Sequence, residues 1–438
     1  MTNHQIVAQV AQTSPSPKDA SSSSSDRPFD PWRRCRTPAA KEVISEALRL
    51  VQNYEAYFHL RKRKRRAADQ SIFEEAVEAL LCDAAQQWLV DPDARLMVSL
   101  ANSDLGSSSR YRSPVMNKTL PDILARLSAP EMEYLEVRKG HQGFRTGEGR
   151  RTTINAGSRL RERINRHGLA VEDLHRMPDG EVIWLKAPKE DRWDSGKLLN
   201  YRDTDQTRLF RREMNDINAW LAVADISFDE AWSENSVDDQ RRQLRRVFNS
   251  GSFCAGGRLF GGFWQDLKKA ERALGLEIGG KKVVTLDYRQ MGPRILYGRE
   301  GVCPPEDCYA IPRYELFREG WKRLFGALTH TGLELTRFPQ GTRKLFPMHL
   351  RIGEAIEALV AFHSPIAAHF TPGAGLGMMF TESEILVDLL LAARAAGIVA
   401  LPVHDAVIVA DGQQGPMATI MRDTFRAHVG IDGEVSVE

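Results

Sequence analysis

The chain has 438 residues, 42% of them hydrophobic, and its 60 Lys and Arg residues nearly balance its 58 Asp and Glu residues. This composition is typical of a globular protein with two or three domains, and it excludes collagenous, disulfide-rich and wholly disordered classes. The formal net charge of only +2 argues against a uniformly basic nucleic-acid-binding protein. The sequence shows no apolar run of membrane-spanning length, no secretory signal and only five scattered Cys residues. These features predict a cytoplasmic protein with reduced thiols and no membrane partner.

The N-terminal part of the sequence predicts a tail followed by a basic domain. Residues 1–38 include a Ser- and Pro-rich run with few core-forming side chains, so we expect a disordered tail there. Residues 39–190 predict a mainly helical domain, because apolar residues recur at helical spacing. Between its first two helices lies RKRKRR, Arg61 to Arg66, the sharpest charge run in the chain. A solvated helix end and a phosphate-binding patch both remain open for this run.

A second basic segment extends from Arg138 to Arg166 and contains nine Lys and Arg residues against two Glu residues. Its Gly-rich middle predicts an exposed loop, and residues 158–168 predict a helix that ends at Gly168. Basic residues at this density are typical of phosphate-backbone contact when a domain that acts on nucleic acids is nearby. We therefore expect nucleic-acid binding by Arg150, Arg151 and Arg159.

The C-terminal part, residues 191–438, places two acids at the ends of buried strands. The strand from Val283 to Leu286 leads to Asp287, and a helix is expected just after it. A helix with a capping box at Thr381 is expected to precede a hairpin of two apolar strands, whose turn contains Asp405. A lone acid in such a place is typical of a helix cap. Two acids on adjacent rigid strand ends, however, are the arrangement that two-metal phosphoryl transfer requires.

Four segments between about residues 250 and 430 resemble, in the same order, elements of the family A (Pol I-like) DNA polymerases. They are the Gly-Arg segment along the primer-template (FCAGGRLFGGFWQDL), motif A (LDYRQMGPR), the fingers helix that binds the triphosphate (RYELFREGWKRLFGALTH) and motif C (VHDA). The resemblance implies an α+β fold in which a right-hand palm with helical fingers follows the mainly helical N-terminal domain. It also implies a DNA primer-template and a deoxynucleoside triphosphate (dNTP) as partners.

The resemblance implies a role for each matching residue. Asp287 and Asp405 would hold two Mg2+ ions and act in catalysis. Arg318 and Lys322 would bind the incoming triphosphate, and Lys322 would also help to protonate the pyrophosphate leaving group. Arg258 would contact the primer strand. The positions implied to support the palm are Tyr288, Gln290, Arg294 and His404.

Several positions depart from the DNA polymerase pattern. Gly292 stands where these enzymes carry a Glu that blocks the ribose 2′-hydroxyl, and the phage-type single-subunit RNA polymerases resemble this chain in having Gly there. Gly326 and His330 stand where the family has an aromatic or Met residue and a Tyr that contact the nucleotide. We therefore expect His330 to lie at the nucleotide and Phe325 to be a substitute stacking residue. Ala406 replaces the Glu that follows the catalytic Asp.

Three interpretations follow from these matches and departures. The leading one is a template-directed DNA polymerase that extends a primer. The second is an RNA polymerase or primase-like enzyme that accepts ribonucleoside triphosphates (NTP), because a missing side chain at Gly292 leaves room for a 2′-oxygen. The third is a catalytically inactive palm that binds nucleic acid, and the presence of both Asp287 and Asp405 argues against it.

Overall fold

The computed structural model describes residues 26–106, 109–140, 150–178, 180–189, 194, 196–234, 236–331 and 334–438. The chain forms two compact units. Unit 1 comprises Met1–Pro31, Cys35–Asp104 and Lys118–Leu174, and unit 2 comprises Trp32–Arg34, Leu105–Asn117 and His175–Glu438. This division differs from the expected boundary at residue 190, because the strand Ile183–Leu185 pairs with Arg246–Phe248 inside unit 2.

Unit 1 combines helices with a four-stranded sheet. Its helices are α1 (Pro38–Tyr57), α2 (Ala67–Val90), α3 (Asn102–Gly106), α4 (Leu120–Leu127) and α5 (Ser158–His167). Its strands are β1 (Arg27–Pro28), β3 (Leu96–Val98), β4 (Leu135–Arg138) and β5 (Thr152–Ala156), while β2 (Arg33–Cys35) and β6 (Leu174–Arg176) each have one residue in unit 1 and two in unit 2. The sheet has the order β1-β3-β5-β4. The chain passes between the units within β2, α3 and β6.

Two expectations for this region need correction. Residues 26–38 of the expected tail contain β1 and β2, and Arg27 donates hydrogen bonds to both carboxylate oxygens of the buried Asp83. Residues 1–25 lie outside the described residues. The domain is also less helical than expected, because strands of two to five residues are too short to show a period of two in the sequence.

The expected helices of unit 1 are present. α1 begins after Thr37, whose hydroxyl accepts a hydrogen bond from the Ala40 amide, and Pro38 occupies the first helical position. α5 ends as expected at Gly168, which has a φ of 59°. Glycine adopts this left-handed conformation without the steric cost that a side chain would impose.

Unit 2 is a mixed α+β structure with two sheets. Its helices are α6 (Asp205–Val223), α7 (Lys269–Gly275), α8 (Met291–Arg299), α9 (Arg318–Thr331), α10 (Ile352–Phe362), α11 (Ala374–Ala395) and α12 (Gln414–Val429). Its strands are β7 (Ile183–Leu185), β8 (Ile226–Phe228), β9 (Arg245–Phe248), β10 (Gly256–Phe260), β11 (Leu276–Ile278), β12 (Lys281–Arg289), β13 (Ala400–Val403), β14 (Ala406–Ala410) and β15 (Glu434–Val437). Among the described residues, no helix is both long and apolar enough to cross a bilayer.

The long strand β12 organises the larger sheet, whose order is β13-β14-β12-β11-β8 with β15 also paired to β12. Leu286 and Asp287 pair with both β14 and β15, so these two strands lie on opposite edges of β12. The turn from β11 to β12 uses Gly279 and Gly280, both with positive φ, as the sequence predicted. Asp287 therefore sits near the end of a strand that is supported on both sides.

α11 forms the centre of the core of unit 2 and packs against β10, α6, α8 and α12. It begins at Ala374 rather than at the predicted capping box, and the Thr381 hydroxyl donates to the Gly377 carbonyl inside the helix. The Gly-rich start belongs to the helix because Gly375 lies against the ring of His330. A Cβ at position 375 would be 2.5 Å from the His330 Cε1 atom.

Candidate active site

Two acidic side chains come together where β12 meets the β13–β14 hairpin. In the antiparallel register of β12 and β14, Asp287 lies opposite Ala406, the residue that follows Asp405. Residues opposite each other in such a pair have Cα atoms about 4.5–5.5 Å apart. His404, with a φ of 59°, makes the tight turn that carries Asp405 at the hairpin tip. Hydrogen bonds of the sheet thus bring together two carboxylates that are more than a hundred residues apart in the chain.

The electrostatics of Asp287 fit a cation-binding carboxylate. Burial raises its pKa to about 6, and the carboxylates of Asp405 and Glu438 add to the rise, against an opposing effect of Lys322. Within the described part of the chain, the buried Oδ1 atom of Asp287 accepts no hydrogen bond. A divalent cation would supply the missing partner of this oxygen and reduce the repulsion from Asp405. Asp287 and Asp405 are therefore a suitable donor set for Mg2+.

Side chains from outside the hairpin hold its backbone in place. The Trp264 Nε1 and Gln265 Nε2 atoms each donate a hydrogen bond of 3.0 Å to the Pro402 carbonyl in β13. Trp264 is fully buried and Phe263 nearly so, which assigns these aromatic residues to the core. The turn with Asp405 is therefore fixed by packing, as a catalytic carboxylate requires.

Three of the four residues that were expected to support the palm form side-chain hydrogen bonds with neighbouring segments. The Tyr288 hydroxyl donates a 2.6 Å hydrogen bond to the Met421 carbonyl, which ties β12 to α12. Gln290 donates to the Glu306 carbonyl and accepts from the Cys308 amide. Arg294 Nη2 donates to Glu434 Oε2 at 2.9 Å. His404 is the exception: its side chain is exposed, and its contribution is the backbone turn.

α9 presents the two expected triphosphate-binding cations one helical turn apart. Lys322 is exposed, and its positive charge lowers the pKa of Asp287, so the two groups are close enough to interact electrostatically. Arg318 Nε donates a 2.6 Å hydrogen bond to Asp307 Oδ2. Burial alone would raise the pKa of Asp307, but the hydrogen bonds from Arg318 and the Tyr309 amide hold it below its ordinary value. A triphosphate therefore has to compete with Asp307 for Arg318.

The two remaining candidates on α9, His330 and Phe325, point in different directions. His330 is exposed, and its Nδ1 donates to the Gly326 carbonyl at 2.8 Å. A Cβ at Gly326 would meet no atom within 4 Å, so this face of the helix is open. Phe325 points the other way: it is 2% exposed and packs against His363 and Phe370. The expectation that Phe325 stacks on a base is therefore wrong, because its ring is part of the core.

Arg258 takes part in an ion pair that the sequence did not predict. Its Nη2 lies 3.1 Å from Oε2 of Glu382 on α11. Burial raises the pKa of Glu382 and Asp405 adds to this, while Arg258 and His330 lower it. Glu382 thus lies among Arg258, Asp405 and His330. The one signal for it in the sequence was its position directly after Thr381, in the first turn of the expected helix.

The approach of β10 to α11 positions Arg258. Gly257 has a φ of 89°, and a Cβ there would be 2.4 Å from the Ser383 hydroxyl. The fully buried Arg246 donates to Ser383 Oγ at 2.7 Å and to the Gly257 carbonyl at 3.3 Å, and it forms an ion pair with Glu384. This buried cation, which sequence patterns did not reveal, joins the strand and the helix beside the candidate site.

Gly292 lies in the first turn of α8 and has open space beside it. A Cβ at this position would contact only Met378, at 3.7 Å from Cε and 3.8 Å from Sδ. Its φ lies outside the left-handed range, so the backbone does not require glycine. A Cβ therefore fits there in ordinary van der Waals contact and without backbone strain.

The expected nucleic-acid-binding arginines belong to unit 1. Arg150 and Arg151 are exposed where the chain enters β5, and Arg159 lies 5.9 Å from the ring centroid of Tyr134. Arg145 and the other residues of 141–149 lie outside the described residues. Part of the basic segment is neutralised, since Arg161 and Arg163 form ion pairs. Its effective positive charge is therefore smaller than its composition predicts.

A second group of potential metal ligands exists in unit 1. The Sγ atoms of Cys35 and Cys82 lie 3.4 Å apart, and both are within 4.8 Å of a Glu78 carboxylate oxygen. All five cysteines are free thiols, as expected. Thiol ligands favour soft metals and do not suit Mg2+, so this group is distinct from the expected magnesium site.

Comparisons with known proteins found similarity to solved structures only. No protein-family model matches the chain, and no curated protein matches it. The chain is similar to a solved structure described as the POL domain of Pol1 from M. smegmatis in complex with DNA primer-template and dNTP. The identity is 12%, over 91% of this chain and 68% of the other, with a TM-score of 0.30. A similarity at this level does not establish a shared fold.

Proposed function

We propose that unit 2 is a template-directed nucleotidyltransferase, a DNA polymerase of the family A type that extends a primer on a DNA template. The observation that supports this most strongly is the juxtaposition of Asp287 and Asp405 at adjacent strand ends, with one buried oxygen of Asp287 that accepts no hydrogen bond from any residue the structure describes. The exposed Lys322 on α9 interacts electrostatically with the same carboxylate. This combination of two acids and a nearby cation suits the binding of metal-complexed phosphates.

The proposed reaction is the attack of a primer 3′-hydroxyl on the α-phosphorus of a nucleoside triphosphate, with pyrophosphate as the leaving group. Asp287 and Asp405 would hold two Mg2+ ions, which, when bound, neutralise charge on the attacking and leaving oxygens. Lys322 would stabilise negative charge on the pyrophosphate and donate a proton to it. Arg318 would exchange its hydrogen bond with Asp307 for a phosphate oxygen.

The residues around Glu382 suit a role in holding the primer strand. Arg258 is only partly exposed and already paired with Glu382, so its guanidinium is held in a defined position before nucleic acid binds. A charged group that is fixed in advance loses little conformational entropy on binding. We propose that Arg258 contacts a primer phosphate or sugar and that Glu382 keeps it oriented.

The second candidate function is RNA or primer synthesis, and the space beside Gly292 supports it. Because a Cβ at this position would contact only Met378, no side chain at position 292 obstructs a ribose 2′-hydroxyl. We expect Gly292→Glu to suppress ribonucleotide use and to spare deoxynucleotide use. An unchanged ratio between the two substrates would show that the 2′-hydroxyl is sensed elsewhere.

Primer extension separates these functions. The purified chain is incubated with Mg2+ and either dNTPs or NTPs, on a primed template and on the same template without primer. We expect extension with wild type, and a loss of about 10³-fold in Asp287→Ala and Asp405→Ala, as for the removal of groups that stabilise transition-state charge. Asp423→Ala, which removes an exposed acid on α12, is the matched control and should extend normally.

Each outcome has a distinct meaning. Extension with dNTPs alone would refute RNA synthesis. Product formation without a primer would refute strict primer extension in favour of primase activity. No extension under any condition, with nucleic-acid binding retained, would refute both enzyme functions and leave an inactive nucleic-acid-binding palm.

A further inference from the structure

The loop between α1 and α2 in unit 1, Arg61–Arg66, consists of six cations, of which all but Arg65 are exposed. Arg61, Lys62, Arg63 and Lys64 are all exposed. None of these four side chains forms a hydrogen bond or ion pair with another residue in the part of the chain that the structure describes. The loop borders an open groove of about 920 Å³. Four adjacent cations repel one another, so a polyanion that binds there gains both attraction and relief of this repulsion.

The fifth cation of the loop holds the first four in place. The Nη1 and Nη2 atoms of Arg65 donate hydrogen bonds to the two carboxylate oxygens of Glu55, at 2.7 and 2.5 Å. The guanidinium carbon of Arg65 lies 3.6 Å from the ring centroid of Phe73. Arg126 donates to the same Glu55 carboxylate at 2.5 Å. Glu55 is 4% exposed and shared by two arginines, so it cannot neutralise the four free cations. The loop is thus fixed to the helices with its positive charge facing outward.

Exposed aromatic side chains come just before the cations in the chain. Tyr57 is 78% exposed and Phe58 44% exposed at the end of α1. Their ring centroids are 4.9 Å apart at an interplanar angle of 82°, and the high exposure of Tyr57 leaves most of its ring available. An exposed aromatic ring next to a row of cations is the combination with which proteins bind single-stranded nucleic acid: bases stack on the ring, and phosphates meet the cations.

We propose that this surface, formed by Tyr57, Phe58 and Arg61–Lys64, binds single-stranded nucleic acid. A base stacks on Tyr57, and the neighbouring phosphates bind the four cations. A single strand fits better than a duplex, because duplex bases are already stacked on each other and do not present a free face to Tyr57. The inference rests on the proposed function in taking nucleic acid as the ligand, but it requires no catalysis.

The test measures binding by fluorescence anisotropy, using the full chain with Asp405→Ala to prevent extension. The probes are a labelled deoxythymidine strand of about 20 nucleotides, which exceeds the site size of one such surface, and a blunt duplex of the same length. The variants are Tyr57→Leu, which keeps an apolar side chain, and the quadruple change of Arg61, Lys62, Arg63 and Lys64 to Ala. The double variant Arg61→Ala with Lys62→Ala is also compared with a control double variant, Lys41→Ala with Lys118→Ala. Lys41 and Lys118 are exposed lysines elsewhere in unit 1.

The salt dependence distinguishes the two kinds of contact. Each phosphate contact on a single strand contributes about −0.7 to the slope of log K against log salt concentration. Because four contacts are removed, the slope of the quadruple variant should be shallower than that of wild type by about 3. Tyr57→Leu should weaken binding about fivefold or more with an unchanged slope. The lysine pair Lys41 and Lys118 should change neither quantity. Circular dichroism should show that all variants remain folded, because every changed side chain is exposed.

Several results would overturn the proposal. An unchanged slope in the quadruple variant would show that the loop does not contact phosphates. Equal affinity for strand and duplex, with no effect of Tyr57→Leu, would show a non-specific charged patch. Tight binding of anionic phospholipid vesicles without strand binding would assign the surface to membranes. Strand binding with the expected variant effects in a chain that never extends a primer would refute the proposed polymerase and leave this inference standing.

Discussion

Replacing Asp287 by Asn should stabilise the metal-free protein while abolishing primer extension. Burial and the nearby carboxylates raise the pKa of Asp287 to about 6 from 3.8. A group whose pKa is higher in the folded state binds its proton more tightly there. Its contribution to stability is therefore complete below about pH 4 and is lost as the pH rises through 6. At neutral pH the ionised side chain destabilises the fold, and Asn removes that charge at nearly the same volume.

The magnitude follows from the difference between the two pKa values. At about 1.36 kcal/mol for each pH unit, the rise corresponds to at most about 3 kcal/mol. Because Asp287 is only partly buried, solvent screening reduces this to about 1–2 kcal/mol. Asp287→Asn should therefore raise the free energy of unfolding of unit 2 by about 1–2 kcal/mol at pH 8 in the presence of a chelator. The difference from wild type should disappear near pH 4.

Urea unfolding followed by tryptophan fluorescence measures this effect, since Trp264 and Trp321 are fully buried in unit 2. Asp423→Asn, an exposed acid on α12, is the control and should leave the free energy of unfolding within about 0.5 kcal/mol of wild type. Adding Mg2+ should stabilise wild type by mass action and Asp287→Asn much less. A variant that is less stable than wild type at pH 8, or equally stabilised by Mg2+, would refute the assignment of Asp287 as a desolvated metal ligand.

Three further changes test the scaffold of the site. Gly257→Ala should lower the free energy of unfolding of unit 2 by about 2–4 kcal/mol in urea unfolding, because φ is positive at this position and the added Cβ would clash with Ser383. The control is Gly353→Ala, in open space on α10, which should be neutral or stabilising. Trp264→Phe should cost about 1–3 kcal/mol and slow extension, since the hairpin loses a hydrogen bond at Pro402; normal stability would contradict this. Glu382→Gln should weaken primer-template binding about two- to fivefold in anisotropy titrations, because Arg258 loses the charged partner that orients it; tighter binding would show that Glu382 competes with nucleic acid for Arg258.

Local sequence signals predicted several elements of this protein well. The Gly279-Gly280 turn, the helix end at Gly168 and the apolar strand before Asp287 each depend on the residues of one short segment. Glycine permits the positive φ that these turns require, and an apolar run between turn residues favours a buried strand, so both signals are local. The motif residues at the candidate site were recognisable for the same reason.

Other predictions failed where long-range packing decides the outcome. The helix expected to begin at Thr381 starts at Ala374, and its Gly-rich first turn lies against His330, which belongs to a different segment of the chain. Phe325 could not be distinguished from a stacking residue by spacing alone, since its burial depends on His363 and Phe370, which lie later in the chain.

The sequence alone determined which residues can carry the chemistry: two acids at strand ends, two cations one turn apart and a glycine without a blocking side chain. Only the tertiary structure decided their environment. The register of β12 against β14 brings Asp287 close to Asp405, and burial raises the pKa of Asp287. Arg318 donates a hydrogen bond to Asp307, and Arg258 forms an ion pair with Glu382. These properties arise from residues that are far apart in the chain, because desolvation and ion pairing depend on distances in space that no local pattern encodes.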